Sequence, residues 1–163
     1  MTKPSQSKPS KKAQRLYFPP LAQFAIYGIA SYVLAAILPF LAIQSAVFFW
    51  LSVPLVLFGS IVLLVSVRSF AKAGTTVNPI EPEKADRLVT SGLYRFTRNP
   101  MYLGMLLVLF ALVFALQNIA AFSGPLLYAL SITLFQIIPE ERVLEGKFGI
   151  AFAAYRKQTR RWL

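Results

Sequence analysis

Residues 16–67 read LYFPPLAQFAIYGIASYVLAAILPFLAIQSAVFFWLSVPLVLFGSIVLLVSV, 52 positions without a charged side chain. A helix rises about 1.5 Å per residue and bilayer hydrocarbon is about 30 Å thick, so about 20 apolar residues make one crossing. The run therefore holds two crossings, at residues 21–43 and 45–67, with Pro39 and Pro54 expected to kink them. A second uncharged run, residues 99–139, holds two shorter helices at residues 101–116 and 124–138, joined by a turn at Gln117-Asn118. The first of these reaches only about 24 Å. Either the bilayer thins around this hairpin, or its charged ends sit below the headgroups and leave a recess open to water and lipid.

All 23 charged residues lie outside those two runs, in blocks at residues 3–15, 68–98 and 140–161, with the basic residues divided five, six and six. Four crossings bring the three blocks to one face, and the positive-inside rule makes that face cytoplasmic, with both termini on it. A composition 56% hydrophobic and 14% charged belongs to membrane proteins. A net charge of +11 also suits a nucleic-acid binder, but a soluble one has nowhere to hide such runs, so no nucleic-acid partner is expected. The surplus is read as orientation and attraction to anionic lipid headgroups. The expected fold is all-α and polytopic: about four transmembrane helices in two hairpins, followed by an amphipathic interfacial helix.

Residues 1–20 form a basic arm rich in Lys, Ser and Pro, read as disordered, and the first crossing is too long for a signal-peptide core, so it is read as an uncleaved anchor. Residues 21–67 read as scaffold, with no charge and no polar cluster. Function is expected in residues 68–163. Their first part is a long polar loop, punctuated by Gly74, Pro79, Pro82 and Gly92, that carries Glu81, Glu83 and Asp86; long ordered loops tend to be functional. Beyond Pro139, the residues Leu144, Phe148, Phe152, Tyr155 and Trp162 recur at near-helical spacing, with Arg142, Lys147, Arg156, Lys157, Arg160 and Arg161 mostly elsewhere around the wheel. This is an interfacial amphipathic helix, or two broken near Gly146 and Gly149, with a solvated basic tail as the plainer alternative. The chain has no histidine and no cysteine, which removes imidazole bases, thiolate nucleophiles and the usual zinc ligands, and no metal is expected. Chemistry must come from carboxylates, tyrosines, arginines, amides or a bound cofactor.

Residues 88–104 read LVTSGLYRFTRNPMYLG; Glu140-Glu141-Arg142-Val143-Leu144 and Phe148-Gly149-Ile150-Ala151-Phe152-Ala153-Ala154-Tyr155 follow. In this order and spacing they resemble the isoprenylcysteine carboxyl methyltransferase and phospholipid methyltransferase group of membrane enzymes. That group shares L-V-T-S-G-x-Y, then R-H-P-x-Y-x-G opening a helix, a Glu-Glu pair after the next helix, and F-G-x-x-Y-x-x-Y. The resemblance covers about residues 74–163. It implies methyl transfer from S-adenosylmethionine, at the cytoplasmic membrane surface, to a lipophilic acceptor that enters from the bilayer.

Carried over position by position, the resemblance puts the cofactor against Leu88, Val89, Tyr94, Asn99, Pro100, Met101, Tyr102 and Glu140, with Glu140, Glu141 and Gln136 at the reacting end. Tyr94 and Tyr102 offer aromatic faces to an adenine or a sulfonium, and a carboxylate at Glu140 suits an amino group or ribose hydroxyls. Without the family, the same residues read more plainly. Asn99-Pro100 then opens a helix, the tyrosines anchor at the membrane boundary, and the glutamates cap or solvate the last helix. Two positions depart from the pattern. Asn99 stands where His is usual and cannot titrate. Gln136, four before Glu140, stands where the prenylcysteine enzymes have an Arg near the substrate carboxylate, and one neutral amide replaces a bidentate cation. An acceptor carboxylate arrives ionised and needs no base, whereas an amine, alcohol or thiol would need Glu140 or Glu141 to take a proton. Two other functions fit parts of the sequence: an NADPH-dependent membrane reductase, because sterol reductases share a similar R-x-P-x-Y helix entry, and a non-enzymatic membrane scaffold.

Overall fold

The computed structural model describes residues 18–73 and 87–163. The expectations for the basic arm before residue 18, and for the part of the loop with Glu81, Glu83 and Asp86, lie outside the described residues. The chain is all-α: α1 (Pro20–Ile37), α2 (Ala46–Ala73), α3 (Pro100–Leu116), α4 (Ser123–Ile132), a π turn (Thr133–Ile137), α5 (Ile138–Phe148) and α6 (Ile150–Gln158). Pro20–Ile37, Ala46–Lys72 and Ala120–Phe148 are long and apolar enough to cross a membrane, and α3 is a shorter apolar helix of 17 residues. The protein is therefore polytopic.

Three helix ends differ from the sequence expectation, each for a local reason. α1 stops at Ile37, because Leu38 leaves helical geometry ahead of Pro39, which opens a 3-10 turn at Pro39–Leu41. A residue before proline is driven out of the α region, so Pro39 ends this helix instead of kinking it. α2 runs past Val67 to Ala73 and carries Arg68 and Lys72 on its last turns, while Pro54 stays inside it. Charge marks where hydrocarbon ends, and helix continues beyond it.

The third difference is larger, since Pro139 does not terminate the fourth helix. α4, the π turn and α5 follow without a break, and the Ile138 amide donates to the Thr133 carbonyl, five residues back. Pro139 cannot donate to the Phe135 carbonyl and its ring would crowd it; a widened turn just before the proline relieves both problems. The resulting span of 29 residues means that within the second hairpin α3 alone is short. The buried positions Gly124, Tyr128, Ile132, Ile137 and Glu141 step by four except for one step of five across the π turn. The extra residue keeps α5 facing the same neighbours as α4.

Packing places α3 at the centre, with α2 on one side and α1 and α4 on the other. Small residues let the backbones approach, as is usual where lipid removes the hydrophobic drive between helices. A Cβ on Gly104 would stand 2.8 Å from the Gly59 carbonyl oxygen, and one on Gly59 would stand 2.9 Å from the Gly104 carbonyl oxygen. A Cβ on Gly124 would meet Tyr27 backbone, and the neighbouring Ser31 hydroxyl donates to the Ala121 carbonyl at 3.0 Å. Tyr102, Met105, Leu109, Tyr128, Ile132 and Ile137 form the core, with Phe24 and Tyr27 edge-on to Tyr128.

α1 is more polar inside than its sequence suggests: buried Gln23 donates to the Phe18 carbonyl at 2.9 Å and accepts from Ser131 at 2.8 Å. At the uncharged end the two turns are stapled together. Gln117, left-handed at φ 51°, closes α3. Its carbonyl accepts from Ile43 at 2.7 Å, and Asn118 donates to the Leu38 carbonyl at 2.9 Å.

Candidate functional site

The entry to α3 is built by a turn that needs a glycine. Gly92 has φ 62° and starts a 3-10 turn, Gly92–Arg95, in a region where L side chains are strained. The turn buries Tyr94 edge-on against Phe70 of α2, at 5.3 Å between ring centroids. The Tyr94 carbonyl accepts from the Tyr155 hydroxyl of α6 at 2.6 Å. Burial first, then the Tyr155 phenol and the Glu140 carboxylate, push the Tyr94 phenol well above its ordinary value, so it stays protonated. Leu88 is half-buried and Val89 buried in the segment leading into this turn.

At the helix entry, Asn99 occupies the cap position and Pro100 the first turn, but the Asn99 side chain does not cap. It donates instead to the Arg161 carbonyl at 2.9 Å. The first intrahelical donor is the Leu103 amide, bonded to the Asn99 carbonyl at 3.0 Å. The amides of Met101 and Tyr102 therefore precede the first helical acceptor, as in any first turn. Met101 is half-buried, Pro100 and Tyr102 are buried.

Two carboxylates face this entry from the start of α5. The Tyr102 hydroxyl donates to Glu140 Oε1 at 2.7 Å, and the buried Gln136 amide donates to the same oxygen from within the π turn. Glu141, one residue on, lies between two guanidinium groups. Arg98 Nη2 reaches its Oε1 at 2.7 Å and Arg161 Nη2 its Oε2 at 2.7 Å. The Arg98 side chain is 9% exposed and that of Glu141 10%, against 37% for Arg161. Desolvation opposes ionisation of such a carboxyl, and two charge-assisted pairs offset it. The ion pair with Glu141 also raises Arg161 above its ordinary value.

Of the residues singled out from sequence, the fold thus joins Tyr102, Gln136 and Glu140 by direct hydrogen bonds and brings Tyr94 within electrostatic reach of Glu140. Asn99 bonds instead to Arg161 in the segment after α6, and Glu141 pairs both with Arg161 there and with Arg98 just ahead of α3. The segment after α6 supplies further partners. Arg98 donates through its backbone to the Arg160 carbonyl at 2.9 Å and through its side chain to the Thr159 carbonyl. Thr97 reaches the Arg161 carbonyl at 3.2 Å, and Trp162 Nε1 donates to Thr133 Oγ1 at 3.2 Å. Arg98 lies inside the motif at residues 88–104; the sequence expectation puts Arg161 and Trp162 on the C-terminal amphipathic helix, but α6 ends at Gln158 and leaves both in the segment beyond it. The apolar face of α6 is likewise spent on the protein, since Phe152 and Tyr155 are buried while Ile150 is 90% exposed. The break between α5 and α6 falls at Gly149, at φ 50°, and not at Gly146, which lies inside α5.

Fold and site together define a helical membrane protein with a polar centre built at one end, where helix entries and carboxylates meet. The sequence pattern of the phospholipid methyltransferase family matches residues 47–151, from α2 through α5, and the chain belongs to that family. It is a membrane methyltransferase. An uncharacterised protein of Haemophilus influenzae is 44% identical over 63 residues, which is 39% of this chain and the whole of that one. No solved structure matches. Among the described residues no cluster of acidic side chains could hold a metal ion.

Proposed function

We propose that this protein transfers a methyl group from S-adenosylmethionine to a lipophilic acceptor at its charged face, which the positive-inside asymmetry makes cytoplasmic. The observation that carries the reading is the different treatment of two adjacent carboxylates. Glu141 is occupied by two arginines, whereas among the described residues Glu140 receives neutral donors, from Tyr102 and Gln136, on one oxygen. A carboxylate accepts about four hydrogen bonds, so Glu140 has capacity for a ligand's ammonium or hydroxyl groups.

The residues at hand fit the cofactor by chemical type. Glu140 matches its amino group or ribose hydroxyls, the faces of Tyr94 and Tyr102 match its adenine or sulfonium, and the first-turn amides of α3 match its carboxylate. Leu88, Val89, Pro100 and Met101 would supply apolar walls, and Asn99 would hold the α3 entry in place. The cofactor supplies an electrophilic methyl group on a cationic sulfur. Tyr102 and Gln136 orient Glu140, the buried tyrosines exclude water, and alignment of acceptor and donor does most of the catalytic work. Glu141 serves as a clamp. Gln136 is committed to Glu140 and brings no positive charge, which disfavours a carboxylate acceptor that needs a cationic grip. For an acceptor that must lose a proton, Glu140 is the base within the site.

Titration of the purified protein with S-adenosylhomocysteine tests the reading. Saturable heat and a raised unfolding temperature are expected. Silence there, or stabilisation by NADPH alone, overturns it. Membranes incubated with radiolabelled methyl donor should then place label in the lipid extract.

A further inference from the structure

We propose that Arg161 and Trp162 are positioning residues for the methyl-transfer site, a role that rests on the function proposed above and reaches beyond it. The two are adjacent in the strap Thr159–Leu163, yet they hold points eight residues apart on the α4–α5 helix. Arg161 pairs with Glu141 at 2.7 Å, and Trp162 Nε1 donates to Thr133 Oγ1 at 3.2 Å. Gln136 and Glu140, which meet Tyr102, lie between those two points. The strap therefore brackets the stretch of helix that carries them.

Its other edge is fastened to the α3 entry. The carbonyls of Thr159, Arg160 and Arg161 accept from Arg98 and Asn99, and Thr97 adds a further bond to Arg161. The Trp162 ring packs against the core cluster that includes Tyr102 and Ile137. One short segment thus ties residues 97–99, just ahead of Tyr102, to the helix that presents Glu140. The direct bond between Tyr102 and Glu140 is flanked by bonds that neither residue makes. The bracketed stretch includes the π turn that carries Gln136, and such turns are frequent at functional sites. The strap also lies outside residues 47–151, the stretch matched by the family pattern.

The chain has two tryptophans, and Trp50, 67% exposed near the opposite end of α2, can be replaced. In the full chain carrying Trp50→Phe, Trp162 alone reports on the strap. Three proteins are compared in that background: Arg161 intact, Arg161→Ala and Arg161→Lys. Acrylamide quenching of Trp162 reads strap docking without ligand, and calorimetry with S-adenosylhomocysteine reads the site. Arg161→Ala should raise quenching and weaken binding about tenfold or more, the scale of one lost charge-assisted contact, with Arg161→Lys recovering part of both. Ligand should also shift Trp162 emission in the Arg161 protein. Trp162→Phe, which keeps an aromatic ring, though a smaller one, and loses the donor, should lower kcat more than it raises the KM for the methyl donor.

Raised quenching with unchanged binding and turnover overturns the positioning role. Unchanged quenching in Arg161→Ala overturns the strap itself. If the parent binds no S-adenosylhomocysteine while its Trp162 is protected, the cofactor reading has failed and the positioning role falls with it. That outcome is distinct from the other two.

Discussion

Glu140 and Glu141 are one residue apart, hence about 100° apart around a helix, which sends two identical side chains to different neighbours. Glu141 meets Arg98 and Arg161; removing a buried carboxylate between two cations leaves both uncompensated. Glu141→Gln should cost about 3 kcal/mol of stability, the low end for a broken buried pair because Arg161 is 37% exposed and partly screened. Thermal unfolding in detergent reads it. Glu140→Gln is isosteric and its amide oxygen can still accept from Tyr102, so its unfolding temperature should stay near the parent's. Its affinity for S-adenosylhomocysteine should fall about tenfold or more, as a charged acceptor becomes a neutral one. A variant that binds normally would remove Glu140 from the site. The sequence marked both glutamates but could not divide their roles, because the arginines that do so sit 43 and 20 residues away.

At the level of elements, two contacts decide whether the site assembles. The first is the π turn, which absorbs one extra residue without rotating α5. Inserting one alanine in α4, between Leu130 and Ser131, should rotate α5 by about 100° and abolish S-adenosylhomocysteine binding while helical circular dichroism persists. Deleting Leu134 instead turns the step of five into a regular step of four and should keep α5 facing the same neighbours, with binding retained; lost binding there would mean that residue identity, and not register, matters. Periodicity alone could not reveal this turn, since Pro139 reads as a helix end and the compensating bulge depends on what α5 must face. The second contact is the crossing of α2 and α3. In Gly104→Val the new side chain starts 2.8 Å from a backbone oxygen and 2.9 Å from the Leu63 nitrogen. Backbone cannot yield as a flexible side chain does, so about 2 kcal/mol of destabilisation is expected from overpacking. Gly146→Ala is the control: nothing lies within 4 Å of its Cβ, it sits within α5, and helix propensity should stabilise it by up to about 1 kcal/mol.

For the whole molecule, the proposed orientation rests on the positive-inside asymmetry, and the absence of cysteine makes it simple to test. Gln44→Cys and Lys157→Cys, both at exposed positions, lie at opposite ends of the helices. In intact cells an impermeant maleimide should label only Gln44→Cys, with Lys157→Cys labelled after permeabilisation; the reverse pattern would place the polar centre on the outer face. By itself the sequence determined that the chain is helical, that it is apolar enough to cross a membrane repeatedly, and that its charge gathers outside the apolar runs. These properties depend on composition summed over stretches of about 20 residues, and no distant contact can reverse the cost of putting charge into hydrocarbon. Residues 88–104 also pointed to the family. Only the tertiary structure decided that the fourth helix passes through Pro139, that buried Gln23 ties α1 to α4, and that Glu141 is clamped while Glu140 meets Tyr102. It alone brought Arg161 and Trp162 to the site. Those outcomes turn on angles of about 100° per residue and on contacts across 20 to 108 positions, which local pattern does not encode.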